Sequence, residues 1–357
     1  MLNPLPMLYR LWVWTVCLIL VCLMATSSAT AGQEPVKKVI RLAFISHAPD
    51  SDSWWSTIKN SLKQASDDFD VQVDYLNPPD GSIEQMAKII QSIDIARYQA
   101  VVATIADMKL LAEPLRSLAR KNIALVTVNS GTQEQSEKVG ALIHIGQPDE
   151  LAGFEAGLRL VKTNPKAKSF ICFNHYPENT GSVQRCDGFK RGLGERAQMT
   201  MVSVIGDAKR KEMTIVSALA AAQSRPDAFL ALGPDSVIPL LEVTRLSAMV
   251  TVPIVTFDLS SEIIAGIRQG RIAFAIDQQP YLQGYLSVGF LAERLRNPQS
   301  SLLLSRMALY SRVTLHQRMA RYGLELKAGS SRHINSGPGF VTTINADKVE
   351  RFSGQFR

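Results

Sequence analysis

The chain has 357 residues, a formal charge of +7 at neutral pH and an apolar fraction of 46%, which is ordinary for a globular protein and long enough for two domains of roughly 100–200 residues each. The basic excess is spread out, with mild enrichment from Arg306 to His333. A nucleic-acid face needs a denser basic cluster with interleaved aromatics, so that class is set aside and the charge reads as solvated surface.

The first element in chain order is an export signal, Met1 to Ala31. Arg10 precedes an apolar run from Leu11 to Met24, and Ala29-Thr30-Ala31 closes the segment with an A-x-A cleavage pattern. A retained membrane anchor is the rival reading; the run is short for one and ends in small residues, so cleavage after Ala31 is expected. No cysteine follows the cleavage point, so a lipid anchor there is not indicated. Removal leaves Trp54 and Trp55 as the only tryptophans and Cys172 and Cys186 as the only cysteines. An oxidising compartment permits a disulfide between the two cysteines, worth about 3 kcal/mol for so short a loop on a chain-entropy account. Two buried free thiols are the alternative; the bridge is expected.

From Val39 short β-rich runs alternate with amphipathic segments. VIRLAFI reads as a buried strand, and Trp55, Ile58, Leu62, Ala65 and Phe69 recur at helical spacing. VQVDYLN, a helix face on Ile83, Met86, Ile89, Ile90 and Ile93, QAVVATI, a helix around Leu110 to Leu118, and IALVTV continue the series. This succession predicts a parallel sheet with helices on both faces. After the loop NSGTQEQSEKVG the pattern restarts, with ALIHI, KSFICF, MTMVSVI, DAFLALG and PIVTF as the strands of a second sheet. The fold class is therefore α/β, with two similar doubly wound parallel-sheet lobes. Ligands of such sheets bind beyond the carboxyl ends of the strands. The polar clusters SHAPDSDSWW, IAD, NSG, NHYPENTG, LGPDS, FDLSS and IDQQP all fall at predicted strand ends.

Nucleotide-loop, nucleophile-elbow, zinc-protease and paired C-x-x-C signatures are missing from the sequence. His47, His144, His175, His316 and His333 lack metal-ligand spacing, although His47 and His175 fall at predicted strand ends. No metal, no cofactor and no enzymatic activity is expected.

The segments NTGSVQRCDGF, PIVTFDLSSEIIAGIRQGRIAFAIDQQPYLQGYLSVGFL and INSGPGFVTTINADKV resemble the type I periplasmic sugar-binding proteins. The resemblance runs from about Val39 onward and is most specific from Phe257 to Gly284. Effector-binding halves of lactose-repressor-type regulators share the fold, but an export signal and no room for a DNA-binding headpiece argue against them. The resemblance implies a monomeric binding component of an ABC importer that closes over a small sugar or polyol and presents it to a membrane permease. A sensor that reports its bound state to a chemoreceptor or sensor kinase is the alternative, and an exported enzyme is a more distant one. It also implies two lobes, residues 32–145 with 279–312 and residues 146–278, joined by three crossover strands, with residues 313–357 as an extension packed on the lobes.

Carried over by position, the family's aromatic pair falls on Trp54 and Trp55 with Asp52 before it, its second-lobe acid on Asp258 beside Phe257, and its hinge glutamine on Gln278. Arg185 is the candidate basic residue after NTGS, two positions later than in ribose-type members. Those members have Asp-Arg where this chain has Asn129-Ser130, and an asparagine where it has Gly233-Pro234, which speaks against ribose itself.

These residue types suit a sugar, whose hydroxyls are met by carboxylates, amides and guanidinium groups and whose C–H faces are met by aromatic rings. Each has a structural alternative. Asp258 and Asp52 are good helix caps, Trp55 is in register with the helix core, and Gln278 could bond only hinge backbone. Asp107 and Asn129 are divided between turn formation and the cleft.

Overall fold

The run that opens at Val39 forms β1 (Ile40–Ile45), buried on both faces. Leu42 and Phe44 enter one core and Ala43 and Ile45 the other, as alternation along a strand covered by two helical layers requires. The computed structural model describes residues 39–245 and 247–357; the expected export signal lies outside the described residues. After β1 come α1 (Ser56–Phe69), β2 (Val71–Leu76), α2 (Ile83–Gln91), β3 (Ala100–Ala103), α3 (Met108–Arg120), β4 (Ala124–Val128), α4 (Gln133–Lys138) and β5 (His144–Gly146). On α1 the predicted face holds: Ile58, Leu62, Ala65 and Phe69 are all buried.

The chain continues through α5 (Asp149–Thr163), β6 (Ser169–Asn174), α6 (Thr180–Leu193), β7 (Gln198–Ser203), α7 (Ala208–Ala221), β8 (Ala228–Ala231), α8 (Pro234–Thr244), β9 (Ile254–Phe257), α9 (Ser261–Arg268) and β10 (Ile272–Asp277). It ends with α10 (Pro280–Arg296), α11 (Leu302–Tyr310), α12 (Val313–Tyr322), β11 (His333–Asn335), β12 (Gly339–Val341) and α13 (Ala346–Glu350).

Two six-stranded sheets result, ordered β11-β5-β4-β3-β1-β2 and β12-β10-β9-β8-β6-β7. Every pairing is parallel except that of β12 with β10. The chain passes between the sheets after β5, after β10 and after β11. One expectation is corrected: ALIHI does not open the second sheet. Its strand β5 pairs with β4, Thr127 opposite His144, and belongs to the first. The intervening loop carries α4, whose Thr132 and Gln135 form a capping box, so the segment completes a βαβ unit of the first lobe.

Two packing features position the site. Helix α10 is buried from Pro280 to Glu293 and packs against α1. Its Tyr281 and Tyr285 hydroxyls donate to Gln64 and Asp68 of α1 at 2.6 and 2.7 Å, which satisfies the polar ends of buried rings. In the second lobe α5 and α6 cross at Gly153 and Gly188. A Cβ at Gly153 would meet the Arg185 carbonyl oxygen at 2.2 Å, and one at Gly188 the Glu150 oxygen at 2.1 Å. The backbones therefore approach as only glycine allows. Cys172 of β6 and Cys186 of α6 are joined as a disulfide, a second tie on the same helix. Among the described residues no helix is long and apolar enough to cross a membrane.

Candidate functional site

On the first lobe the chain leaves β1 and makes a single 3₁₀ turn over Ser53–Trp55 before α1. The Asp52 carboxylate accepts the Trp54 backbone N–H at 3.0 Å and so braces this turn. At about three residues per turn, adjacent side chains diverge by roughly 120°, which separates the two tryptophans. Trp55 points into the core, at 3% exposure, and Trp54 stays half-buried at its rim. Their rings meet edge to face at 5.3 Å. Trp55 also meets His47 at 5.3 Å, and His47 Nδ1 lies 2.9 Å from Thr104 Oγ1. Burial pushes the His47 imidazole down to about 4, so it is neutral near pH 7.

On the second lobe Asp258 follows β9 with a left-handed backbone, φ 62°. It is not a helix cap: Ser260 caps α9, accepting the Ile263 N–H. The Asp258 carboxylate instead accepts from Gln278 Nε2 at 2.6 Å. Enclosure by protein pushes it up to about 6, against the opposing pull of the Arg185 charge and the Gln278 bond. Arg185 stacks over Phe257, 4.6 Å from the ring centre, while its Nε donates to Asp149 Oδ1 at 2.7 Å. Asp258, Gln278 and Arg185 are thus brought together.

The hinge is a hydrogen-bonded network. Ser336 N donates to Gly146 O at 3.0 Å and Ser336 Oγ to Gln278 O at 2.8 Å, so residues from all three crossings are connected. Gln283 donates to Gln278 O and Ser336 Oγ and accepts from Asn129 Nδ2 at 3.1 Å. Asn129, at φ 63°, is therefore tied to the hinge. Asp107 is a helix cap: its Oδ1 accepts from Lys109 and Leu110 N–H at the start of α3.

Trp54, Thr57, Asp258, Leu259, Asp277, Pro280, Gly354 and Arg357 line one pocket, with residues of both lobes in its wall. The space among them is about 20 Å³, room for about one water. Three residues that sequence reasoning missed stand out. Asp277 and Arg357 pair at 2.8 Å, at 2% and 4% side-chain exposure. Asn174, at the end of β6, is fully buried and its Nδ2 has no hydrogen-bond partner. Asn174 and Asp277 lie inside polar clusters visible at strand ends. Arg357 carries no local signal.

Two acids, Asp52 of the first lobe and Asp235 of the second, lie near enough for one charge to act on the other. Burial pushes the Asp52 carboxyl up, the Trp54 amide opposes this, and Asp235 at the start of α8 pushes it up further. Asp235 pairs with Lys211 at 3.0 Å. His175 Nδ1 lies 3.3 Å from Ser236 Oγ, and burial pushes that imidazole down to about 4. Among the described residues no group of three or more His, Cys, Asp or Glu side chains is placed to hold a metal ion.

Residues 42–299 match the family model described as the periplasmic binding protein domain. The chain belongs to that family. This binding protein is similar in fold to a carbohydrate transporter from Acidothermus cellulolyticus 11B in complex with myo-inositol, at TM-score 0.70 and 24% identity over 89% of this chain and 99% of that one. It is also similar to a periplasmic sugar-binding protein of an ABC sugar transporter from Legionella pneumophila, at TM-score 0.66 and 21% identity over 72% and 96%. A third likeness is to an ABC transporter solute-binding protein from Burkholderia graminis C4D1M in complex with D-arabinose, at TM-score 0.67 and 16% identity over 86% and 96%. No curated protein matches the binding protein in sequence.

Proposed function

We propose that this binding protein captures a small sugar or polyol between its lobes in the periplasm and delivers it to an ABC import permease. The observation that carries the reading is the placement of Trp54 and Asp258, one from each lobe, in the wall of a single pocket. A ring face suits the C–H patch of a sugar, and a carboxylate suits its hydroxyls. Gln278 holds Asp258 by a hydrogen bond and the Arg185 charge favours its ionised form, while Asn174 keeps an unpaired buried amide donor at the end of β6. The myo-inositol and D-arabinose complexes of proteins with this fold are in keeping with that class. In the proposed cycle the sugar enters as the lobes part and is enclosed as they close, which is how hinged binding proteins work.

The test is calorimetric titration of the mature chain with myo-inositol, D-arabinose, D-glucose and D-galactose. Saturable one-to-one binding of at least one is expected. Lack of binding across a wider panel of polyols, pentoses and hexoses sinks the sugar reading. Unaltered sugar recovered after incubation is expected, and turnover would point to an enzyme instead. Retained uptake of the bound sugar in cells lacking the protein would favour sensing over transport.

A further inference from the structure

The segment Phe352–Arg357 is fastened to the first lobe and reaches the strand that leaves the second. Phe356 stacks on Tyr322 of α12 at 4.5 Å and 7°, and Phe352 meets the same ring at 5.1 Å. Asn60 of α1 donates to the Gln355 carbonyl at 2.9 Å. Arg357 Nη1 donates to the Tyr322 carbonyl at 3.1 Å and to that of Gly323. From this anchorage the Arg357 guanidinium faces Asp277, the last residue of β10 in the second sheet.

Asp277 has two duties. Its Oδ1 accepts the Gln279 N–H at 2.7 Å and so braces the crossing into α10, where Gln279 adopts φ 53°. Its Oδ2 faces Arg357 Nε at 2.8 Å. The angle falls outside hydrogen-bond geometry, so the contact is one of charge on charge. A guanidinium and a carboxylate this buried each carry a large desolvation cost. A well-packed apolar pair would often be at least as stable, so mere stability does not account for the arrangement. What the ion pair adds is a fixed distance between a first-lobe anchor and the second-lobe end of a crossing.

We propose that Arg357 is a positioning residue of the hinge: paired with Asp277, it holds the second lobe's exit strand against the first lobe and so sets how far the lobes part. The inference rests on the hinged-binding reading above, but its test needs no ligand and is independent of which sugar is bound.

The experiment is small-angle scattering of the ligand-free mature chain, with thermal melting, on wild type, Arg357→Met, Asp277→Asn and the double variant. Each single variant leaves one buried partner unmatched, so water enters the hinge, the radius of gyration rises and the melting temperature falls. The double variant is expected to remain expanded while melting higher than the sum of the single losses implies. Asp277→Asn keeps an acceptor for the Gln279 amide, so its expansion reports the lost pair alone and decides the matter should Arg357→Met not fold. Scattering that superimposes on wild type in the folded variants, whatever the melting shift, overturns the proposal and leaves the pair a local brace.

Discussion

The Gln278 side chain donates to Asp258 across 2.6 Å while its carbonyl accepts from Ser336 at 2.8 Å. The acid at the end of β9 is therefore held by the hinge itself, and a ligand that engages Asp258 acts directly on the crossing strands.

Asp258→Asn is expected to weaken ligand binding about tenfold or more, since a hydrogen bond to a charged group is worth roughly 1.5–3 kcal/mol. The empty protein should melt no lower than wild type, because Ser260 rather than Asp258 caps α9 and a neutral amide avoids the cost of burying charge. Titration calorimetry beside thermal melting checks both halves. A large stability loss with unaltered affinity would show the residue to be structural.

The two tryptophans should separate cleanly. Trp54→Ala is expected to abolish the ligand-induced change in emission and weaken binding with little loss of stability. Trp55→Ala removes a ring at 3% exposure and should cost about 3–5 kcal/mol in urea denaturation. Wild-type affinity in Trp54→Ala would remove the ring-stacking role.

Gly188→Ala sets two effects against each other. Alanine gains about 1 kcal/mol of helix propensity over glycine, whereas overpacking costs about 1–3 kcal/mol or more. With the new Cβ at 2.1 Å from the Glu150 oxygen of α5, backbone must move and overpacking wins. A lower urea midpoint is expected. It should come with weaker binding, because α6 carries Arg185.

Thiol titration of the unfolded, unreduced mature chain should find no free thiol, because Cys172 and Cys186 are bridged. Two reactive thiols per chain would refute the bridge. Its reduction is expected to cost about 3 kcal/mol.

Acid should destabilise the protein between pH 6.5 and about 4. Burial lowers His47 and His175 to about 4 and His144 to about 3 from a reference of 6.5. The unfolded chain therefore binds protons that the folded chain refuses, and this stability is complete above pH 6.5 and lost as pH falls. Asp258, raised from 3.8 to about 6, acts oppositely and gains stability over the same acidification. Asp52, whose carboxyl burial also pushes up, acts in the same sense as Asp258; three imidazoles outweigh these two carboxyls, so the denaturation midpoint should fall with pH. His144→Gln keeps a polar partner for Thr127 and should flatten that slope. A slope as steep as wild type would mean that His144 contributes none of it.

Much of the fold was legible because burial imposes periodicity. The face Ile58, Leu62, Ala65 and Phe69 follows from it directly, as do the strands read in VIRLAFI and KSFICF, which form as IRLAFI and SFICFN. The allocation of ALIHI was not, because a three-residue strand reads alike in either sheet and only pairing with β4 assigns it. Within the site, polar residues at strand ends pointed to Trp54, Asp258 and Gln278 without distinguishing wall from brace.

The sequence by itself determined the α/β class, the doubled pattern, and the strand-end position of the polar residues, since these depend on local period and on residue type. Only the tertiary structure decided that Asp107 caps a helix, that Trp55 turns inward while Trp54 faces the pocket, and that Arg357 meets Asp277. The cap at Asp107 is made by its near neighbours Lys109 and Leu110, but residue type alone left local turn and cleft equally open; the Arg357 pair spans 80 positions. A buried charge and a partner contributed from so far along the chain share no local period or motif, so no local pattern records that pairing.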